Sequence, residues 1–199
     1  KLSMEVYAEF LKAICDAEKI KSFILLGHSM GGYIALHFAE KYAGRLTGLG
    51  LINSHCYEDS AEKKANRKKT IDFITKHGTA HFVKELYSVV FNSNYQKKYP
   101  KVVQGMIAKA LKYTPDAVIA ATEAMIKRKD KSSVLINSKV PVLFISGKED
   151  VTVPYEYSLK QVSLPDVADV HIFTKSKHMS LFEKKTVSIE IISSFIRIC

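Results

Sequence analysis

The sequence predicts an α/β fold, in which a mostly parallel sheet is flanked by helices and carries a helical insertion. Short apolar runs of strand length alternate with amphipathic helical segments near both ends of the chain, and this alternation is typical of parallel sheets covered on both faces. Residues 57–135 instead are highly charged, show helical periodicity and contain no strand pattern. We therefore predict a core of residues 1–56 and 136–199, with residues 57–135 forming a helical cap.

The first core segment contains two predicted helices and two predicted strands. Apolar residues recur on one face over residues 3–17, which predicts the first helix. Apolar runs at 23–26 and 49–53 have the length of buried strands. The helix between them is expected to end near Tyr42, with Gly44 as its C-terminal stop.

Capping residues and prolines predict four helices within the insertion. Ser60 is expected to begin the first helix, which Gly78 ends, and Thr79 is expected to cap the second. Pro100 and the pair Thr114–Pro115 mark the starts of the other two, because proline suits the first turn of a helix.

The last part of the chain returns to the alternation of strands and helices. Apolar runs at 141–146 and 170–173 predict two further strands, and helices are expected over 155–162 and 183–198. Ligands of open parallel sheets bind beyond the carboxyl ends of the strands. Polar residues that directly follow these strands are therefore the candidates for a functional site.

A serine flanked by glycines lies at the first strand-to-helix junction, in Gly27-His28-Ser29-Met30-Gly31. This Gly-x-Ser-x-Gly pattern predicts a nucleophile elbow, a turn so sharp that the serine backbone is strained and its hydroxyl is exposed above the sheet. We expect glycine to be required at Gly27 and Gly31, because a side chain there would collide with the neighbouring strand and helix. The backbone amide of Met30 is expected to donate to a developing oxyanion.

Three residues suited to nucleophilic catalysis follow predicted strands in the order Ser29, Asp150, His178. A serine hydroxyl needs a base to accept its proton, and that base needs a carboxylate to orient it. With Gly-His-Ser-Met-Gly-Gly at 27–32, Gly-Lys-Glu-Asp-x-x-x-Pro at 147–154 and a histidine before the last helix, the chain resembles the α/β-hydrolase superfamily over its whole length. The insertion is similar to the cap of small capped esterases and carbon–carbon bond hydrolases.

The resemblance implies a carboxylesterase-like serine hydrolase that cleaves a small ester or similar acyl compound, with no metal or organic cofactor. Ser29 would attack the carbonyl carbon, His178 would carry the proton, Asp150 would orient His178, and water would release the acyl enzyme. Two alternatives stay open: a carbon–carbon bond hydrolase with the same triad, and a non-catalytic binding protein on a hydrolase scaffold.

Other side chains near the predicted triad compete with it or add to it. Glu149 is a rival for the acid role, although Asp150 fits the family spacing better. His28 and His55 are candidate substrate contacts. We interpret His28 mainly as a structural residue, because it is adjacent to the serine and its side chain is expected to point away from it. His55 follows the end of a strand and is expected to face the pocket.

The chain departs from the family pattern in two places. Lys177 precedes the histidine where many members of the superfamily have glycine. The strands and the His-Gly-type loop that normally precede the elbow, and that supply a second oxyanion donor, either lie outside this sequence or are lacking in a truncated form. A truncated form would rely on Met30 alone, which typically costs on the order of 100- to 1,000-fold in rate. Its open strand edge would invite association, and the oligomeric state stays open.

The net charge of +10 is concentrated in two basic stretches, residues 63–69 and 127–131. Such stretches are able to bind nucleic acid or anionic lipid. No aromatic interleaving or nucleic-acid motif accompanies them, so we interpret them as solvated helix surface and expect a small-molecule substrate and no nucleic acid. No apolar run approaches the roughly 20 residues of a membrane-spanning helix, so no membrane span is expected.

The cysteines and the remaining histidines predict neither a disulfide framework nor a metal site. Cys15, Cys56 and Cys199 lack the spacing of metal ligands and favour free thiols in a reducing compartment, hence a cytoplasmic location. His77 and His81 are four residues apart, but the glycine between them breaks the helix that would align them as ligands.

Overall fold

The computed structural model describes residues 2–199, which divide into two compact units. One unit comprises residues 4–58 and 129–199 and contains the sheet. The other comprises residues 59–128, with residues 2–3, and its regular structure is helical. Residues 129–135, which we expected in the insertion, thus belong to the sheet-containing unit, where the Lys131 N–H donates to the Cys56 carbonyl at 2.7 Å. The role of residues 57–135 as a cap stays a prediction.

Four strands form one parallel sheet in their order along the chain. They are β1 (Phe23–His28), β2 (Leu46–Ile52), β3 (Val142–Gly147) and β4 (Ala168–Phe173). The register pairs His28 with Ile52 and Ile52 with Ile145, so the carboxyl ends of the first three strands lie at one edge of the sheet. The predicted α/β architecture with a parallel sheet is confirmed.

Eleven α-helices accompany these strands within residues 2–199. They are α1 (Met4–Ala17), α2 (Met30–Tyr42), α3 (Ala61–His77), α4 (Thr79–Val90), α5 (Ser93–Lys98), α6 (Pro100–Ala110), α7 (Pro115–Lys127), α8 (Ser132–Ile136), α9 (Tyr155–Gln161), α10 (Ser180–Glu183) and α11 (Lys185–Ile198). Helices α3 to α7 form the helical unit, and the others belong to the unit that contains the sheet. No described helix combines the length and the apolar character that crossing a membrane requires.

Strand β3 is buried on both faces of the sheet. Successive side chains of a strand point to opposite faces. Val142 and Phe144 accordingly pack into the cluster formed with α1 and α2, whereas Leu143 and Ile145 pack against Phe195 of α11. Burying such a side chain contributes roughly 1.5–3 kcal/mol relative to leaving it exposed. This double burial fixes the end of β3, from which the loop with the predicted acid begins.

Two predictions about helix ends are wrong in detail. Helix α2 ends at Tyr42 as expected, but Gly44 does not stop the chain, which continues as a short 3₁₀ helix over Ala43–Arg45. Thr79 is the first residue of α4 rather than its cap. The residue between α3 and α4 is Gly78, whose φ of 74° ends the first helix and makes the sharp turn into the second.

The helical unit contains one helix more than the predicted four. Asn92 caps the additional helix, α5, because its side chain accepts a hydrogen bond from the Asn94 N–H at 2.9 Å. The predicted caps Ser60 and Thr114 are confirmed, with side chains that accept from Lys63 N and Ala117 N. The closing helix expected over residues 183–198 is divided into α10 and α11 at Lys184.

The basic stretches are not entirely solvated, contrary to prediction. Asp59 pairs with Arg67 at 2.6 Å and with Arg128 at 2.9 Å, and both Asp59 and Arg128 are only 4% exposed. Burial alone would raise the pKa of Asp59, but the hydrogen bonds from Arg128 and Arg67 hold that pKa below its ordinary value. Part of the basic sequence therefore serves to hold the helical unit together.

Candidate active site

Ser29 occupies the sharp turn between β1 and α2, and its backbone is strained as predicted. Its φ of 53° and ψ of −121° lie in a region that residues other than glycine rarely adopt. Three hydrogen bonds hold this conformation. The Ser29 N–H donates to Ile52 O at 3.0 Å, and the Ser29 carbonyl accepts from Gly32 N at 2.9 Å and from Ser54 Oγ at 2.8 Å. The elbow is therefore fixed partly by the end of β2.

Glycine is required at two positions of the elbow, but not at both of the predicted ones. A Cβ atom at Gly27 would lie 2.5 Å from the Gly32 nitrogen, so the prediction for Gly27 is confirmed. A Cβ atom at Gly31 would meet nothing within 4 Å, so that prediction is wrong. The crowded position is Gly32, where a Cβ atom would overlap the side chain of Ser54. The sequence pattern did not show this neighbour because Ser54 follows β2 and lies 22 positions from Gly32 along the chain.

The structure brings Ser29, His178 and Asp150 together after β1, β4 and β3. His178 Nε2 lies 2.8 Å from Ser29 Oγ, and His178 Nδ1 lies 2.8 Å from Asp150 Oδ2. Because a carboxylate only accepts hydrogen bonds, Nδ1 carries the proton and Nε2 is left to accept the serine hydroxyl. His178 and Asp150 are 5% and 7% exposed. The arrangement is able to move a proton from the hydroxyl to a buried, oriented imidazole.

The Asp150 carboxylate is held by four hydrogen-bond donors. Oδ2 accepts from His178 Nδ1 at 2.8 Å and from Asn53 Nδ2 at 3.0 Å, whereas Oδ1 accepts from the Thr152 and Val153 N–H groups at 2.7 and 3.0 Å. Burial alone would raise the pKa of Asp150, but His178 and then the Val153 and Asn53 donors lower it below its ordinary value. Asp150 is thereby kept ionised beside the imidazole.

Glu149, the rival acid, lies differently. Its side chain is exposed, and its backbone N–H donates to the Ser176 carbonyl at 2.9 Å. This bond ties the loop that carries Asp150 to the loop that precedes His178. Asp150 is the carboxylate placed against the imidazole.

Met30, the predicted oxyanion donor, is the first residue of α2. The first N–H groups of a helix have no acceptor within the helix and lie at the positive end of its dipole. Because Met30 directly follows Ser29, its N–H belongs to this group at the point where the nucleophile stands. The location suits a donor to negative charge that develops on a bound carbonyl oxygen.

His28 supports the backbone of His178. Its Nε2 donates to the His178 carbonyl at 2.9 Å, and the two rings lie 5.1 Å apart. Burial lowers the pKa of His28 below its ordinary value, and the neighbouring His178 ring adds to this, although the bond to the carbonyl opposes it. The contact agrees with our structural interpretation of His28, and its role as a substrate contact stays a prediction.

His55 is buried in an aromatic cluster in which Tyr57 and Tyr157 are themselves half-buried. Its Nε2 is 3.3 Å from the Tyr33 hydroxyl, and its ring lies 5.4 Å from the Tyr33 ring, 6.2 Å from that of Tyr57 and 5.0 Å from that of Tyr157. At 3% exposure, His55 is enclosed by these rings. The structure does not bring it into the hydrogen-bonded chain of the triad, and its substrate contact stays a prediction.

His77 and His81, the pair with metal-like spacing, both contact an aromatic ring in the helical unit. Their rings lie 4.8 and 5.7 Å from that of Phe73, and His81 pairs with Glu85 at 2.9 Å. Throughout residues 2–199, no three histidine, cysteine or carboxylate side chains are grouped as ligands for a metal ion.

Asn53 and Ser54 contact the triad and were not predicted from the sequence. They follow β2, and both are almost completely buried. One signal was present in the sequence. Asn53 lies at the carboxyl end of a predicted parallel strand, which is the edge of the sheet where the candidate site residues were expected. Asparagine also tolerates the left-handed backbone found here, with φ of 45°.

Comparisons with known proteins agree with this fold. The 2-hydroxy-6-oxo-6-phenylhexa-2,4-dienoate hydrolase of Comamonas testosteroni is 27% identical over 188 residues, which are 90% of this chain and 64% of that enzyme. A thermophilic esterase from Thermogutta terrifontis superposes with a TM-score of 0.91 at 26% identity, over 98% of this chain and 72% of the other. The enol-lactonase of Burkholderia xenovorans superposes with a TM-score of 0.87 at 22% identity, over 98% of this chain and 74% of the enol-lactonase.

The extent of these matches defines what they support. The chain spans 64% of the length of the curated dienoate hydrolases from Comamonas testosteroni and Burkholderia cepacia. The match to a protein family is more extensive, because residues 1–192 match the Ndr family. The chain therefore belongs to the Ndr family and has the fold of the α/β-hydrolase superfamily.

Proposed function

We propose that this protein is a serine hydrolase that cleaves a carboxylic ester or similar small acyl compound. The observation that carries the proposal is the continuous hydrogen-bonded chain from Ser29 Oγ through His178 to Asp150, with 2.8 Å at each link. The esterase from Thermogutta terrifontis, which is 26% identical and superposes with a TM-score of 0.91, supports the class of substrate.

In this mechanism Ser29 Oγ attacks the carbonyl carbon while its proton passes to His178 Nε2. The carbonyl oxygen becomes negative, and the Met30 N–H donates to it. His178 then donates its proton to the leaving alcohol, and the acyl group remains on Ser29. Water attacks the acyl enzyme with His178 as base, which releases the acid and restores the hydroxyl. Asp150 holds the imidazole in one tautomer and stabilises its positive charge throughout.

A carbon–carbon bond hydrolase with the same triad is the second candidate. It is supported by the relative from Comamonas testosteroni, whose name denotes a keto substrate without an ester bond. The same nucleophile and base would act on a keto carbonyl, and the bond broken would join carbon to carbon. Assays of short acyl esters alongside a keto dienoate would separate the two candidates, since each substrate contains only one of the two bonds.

Labelling with a fluorophosphonate tests the proposed mechanism. We expect a covalent adduct on Ser29, no adduct in Ser29→Ala, and a rate reduced on the order of 1,000-fold or more in His178→Ala, because the hydroxyl then has no base. The adduct is measured by mass spectrometry of the intact protein and its peptides. A folded wild-type protein that is not labelled would contradict the proposal and favour a binding protein on a hydrolase scaffold.

Two matched variants identify the acid of the triad. We expect Asp150→Asn to slow labelling by on the order of 10³- to 10⁴-fold, because the amide can present a donor to Nδ1 and favour the wrong tautomer of His178. Glu149→Gln removes one negative charge from the neighbouring, exposed position and is expected to leave the rate within about twofold, because exposed charges interact weakly. A greater loss in Glu149→Gln than in Asp150→Asn would reverse the assignment.

A further inference from the structure

We propose that Asn53 is the positioning residue that joins the acid, the base and the nucleophile of this site, with Ser54 beside it completing the link to the nucleophile. The proposal rests on the function proposed above and adds the group that assembles its three loops. It comes from contacts at the end of β2, a strand that contributes no member of the triad.

The Asn53 amide uses both of its Nδ2 hydrogens on the catalytic loops. Nδ2 donates to Asp150 Oδ2 at 3.0 Å and to the Lys177 carbonyl at 3.2 Å. The first bond fixes the same carboxylate oxygen that accepts from His178 Nδ1. The second fixes the peptide group that joins Lys177 to His178. One side chain thus sets the relative position of the acid and the base.

The amide oxygen of Asn53 is held from the opposite side. The hydroxyl of Ser180, the first residue of α10, donates to Asn53 Oδ1. Asn53 and Ser180 are 1% and 0% exposed, so water does not compete for these bonds. With one acceptor and two donors all engaged, the amide has a single orientation, which an isosteric carboxylate could not reproduce.

Ser54 extends the link to the nucleophile. Its hydroxyl donates to the Ser29 carbonyl at 2.8 Å, and its side chain occupies the space where a Cβ atom on Gly32 would lie. The strained turn that presents Ser29 is therefore braced from β2. Adjacent residues 53 and 54 thus contact all three catalytic loops.

The strand order explains why this segment has the central role. Strand β2 lies between β1, which ends at the nucleophile, and β3, which leads to the acid. Residues that leave its carboxyl end are flanked by both loops. Asn53 turns toward the acid with φ of 45°, a conformation that asparagine and glycine tolerate better than other residues.

Substitution of Asn53 tests this role through the rate of fluorophosphonate labelling. Asn53→Gly keeps the left-handed backbone and removes the amide, and we expect labelling to slow by roughly 10- to 100-fold, since small displacements of catalytic groups have effects of this size. Asn53→Asp keeps the shape but has at most one donor where the amide has two, so it is expected not to restore the rate. Ser188→Ala, which removes another buried hydroxyl on α11, is the matched control for Ser54→Ala and Ser180→Ala.

The pH dependence of labelling separates positioning from a general loss of stability. The titratable side chains around Asn53 and His178 include Asp150 and His28, and Glu183 accepts from the N–H of Lys177, directly before His178. In Asn53→Asp two carboxyl groups in contact cannot both ionise at neutral pH, so the pair holds a proton that wild type lacks and the pH profile of labelling should differ from that of wild type. Asn53→Gly adds no titratable group, so its pH profile of labelling should differ less from that of wild type. Unchanged profiles in both variants would contradict the proposal.

A spectroscopic measurement keeps the inference separate from the proposed function. The proton on His178 Nδ1, hydrogen-bonded to Asp150, is expected as a downfield imidazole resonance that Asp150→Asn abolishes. We expect the signal to shift or broaden in Asn53→Gly and to persist in Ser188→Ala. If wild type shows the Nδ1 proton resonance but is not labelled, the proposed function is wrong. The effect of Asn53→Gly on that resonance then still tests the positioning role. If Asn53→Gly is folded, keeps the signal and is labelled within about twofold of wild type, the positioning role is wrong.

Discussion

At the scale of single residues, the strain at Ser29 is the feature on which the site depends. A residue held in a rarely populated backbone region costs on the order of 1–3 kcal/mol, and surrounding contacts must offset that cost. Here the contacts come from Ile52 and Ser54, so the elbow is not a property of the Gly-x-Ser-x-Gly segment alone. The strained backbone exposes the Ser29 hydroxyl above the sheet, and contacts from the adjacent strand β2 and the residues after it maintain that backbone conformation.

Alanine substitutions at two neighbouring glycines are expected to have opposite effects. Gly32→Ala should destabilise the protein and slow labelling of Ser29, because the new methyl group overlaps Ser54, whose Cβ atom would lie only 2.5 Å away. Gly31→Ala should be tolerated, and within α2 it should stabilise by about 0.5–1 kcal/mol, since alanine restricts the unfolded chain. Thermal unfolding and the labelling rate measure both effects. A Gly31→Ala protein as impaired as Gly32→Ala would contradict this account.

At the scale of elements, a buried ionic cluster joins the ends of the helical unit. Asp59 precedes α3, Arg67 lies within α3, and Arg128 follows α7. The side chains of Asp59 and Arg128 are almost completely buried, so each charge depends on the other for its stabilisation. The cluster brings the beginning and the end of this segment together.

Asp59→Asn is expected to lower the free energy of unfolding by about 3–5 kcal/mol, because it removes the carboxylate charge that faces the buried Arg128 guanidinium. The pKa of Asp59 is lower in the folded protein than its ordinary value of 3.8, so its contribution is present above that pH and is lost as the pH falls through the folded pKa. In the Asp59→Asn variant this part of the acid sensitivity should be absent. Urea unfolding at a series of pH values measures both effects.

The exposed pair of Lys127 with Glu123 in α7 provides the control, with its charges 3.3 Å apart. Glu123→Gln breaks a solvated ion pair four residues apart and should change the free energy of unfolding by no more than about 0.5 kcal/mol. If Asp59→Asn and Glu123→Gln lowered the free energy of unfolding equally, the buried pair would be no more stabilising than the exposed one. That result would contradict the proposed structural role of Asp59.

At the scale of the whole molecule, the net charge stays at +10, but some of the cationic side chains in the basic stretches are paired within the fold. Arg67 and Arg128 share Asp59, and Lys131 pairs with Glu40 at 2.7 Å. The basic stretches therefore present a smaller uncompensated field than the sequence indicates.

We expect no binding of a fluorescent single-stranded RNA at about 150 mM salt, because exposed charges are largely screened beyond roughly 8 Å at that ionic strength. Fluorescence anisotropy measures this. Binding that persists at this salt concentration, and that is lost when Lys63, Lys64, Lys68 and Lys69 are replaced by glutamine, would contradict the expectation and support a polyanion partner.

Short-range patterns in the sequence predicted most of the elements. Ser60 and Thr114 cap helices because capping involves residues within one turn, and the spacing of apolar residues reports local burial. Helix α5 was missed because its six residues carry little periodicity, and the division of the last helix at Lys184 follows no breaker residue. The elbow was found because its glycines, strand and helix are adjacent along the chain.

By itself the sequence determined the α/β class, the sharp turn at Ser29 and the order of Ser29, Asp150 and His178 after their strands, since each depends on neighbours along the chain or on position after a strand. Only the tertiary structure decided which glycine Ser54 crowds, and which side chains hold Asp150 and Arg128. Those contacts join residues that are far apart along the chain: Ser54 and Ser29 by 25 positions, Asn53 and Asp150 by 97, and Asp59 and Arg128 by 69. No local pattern encodes such distances, because the packing of strands and helices creates them.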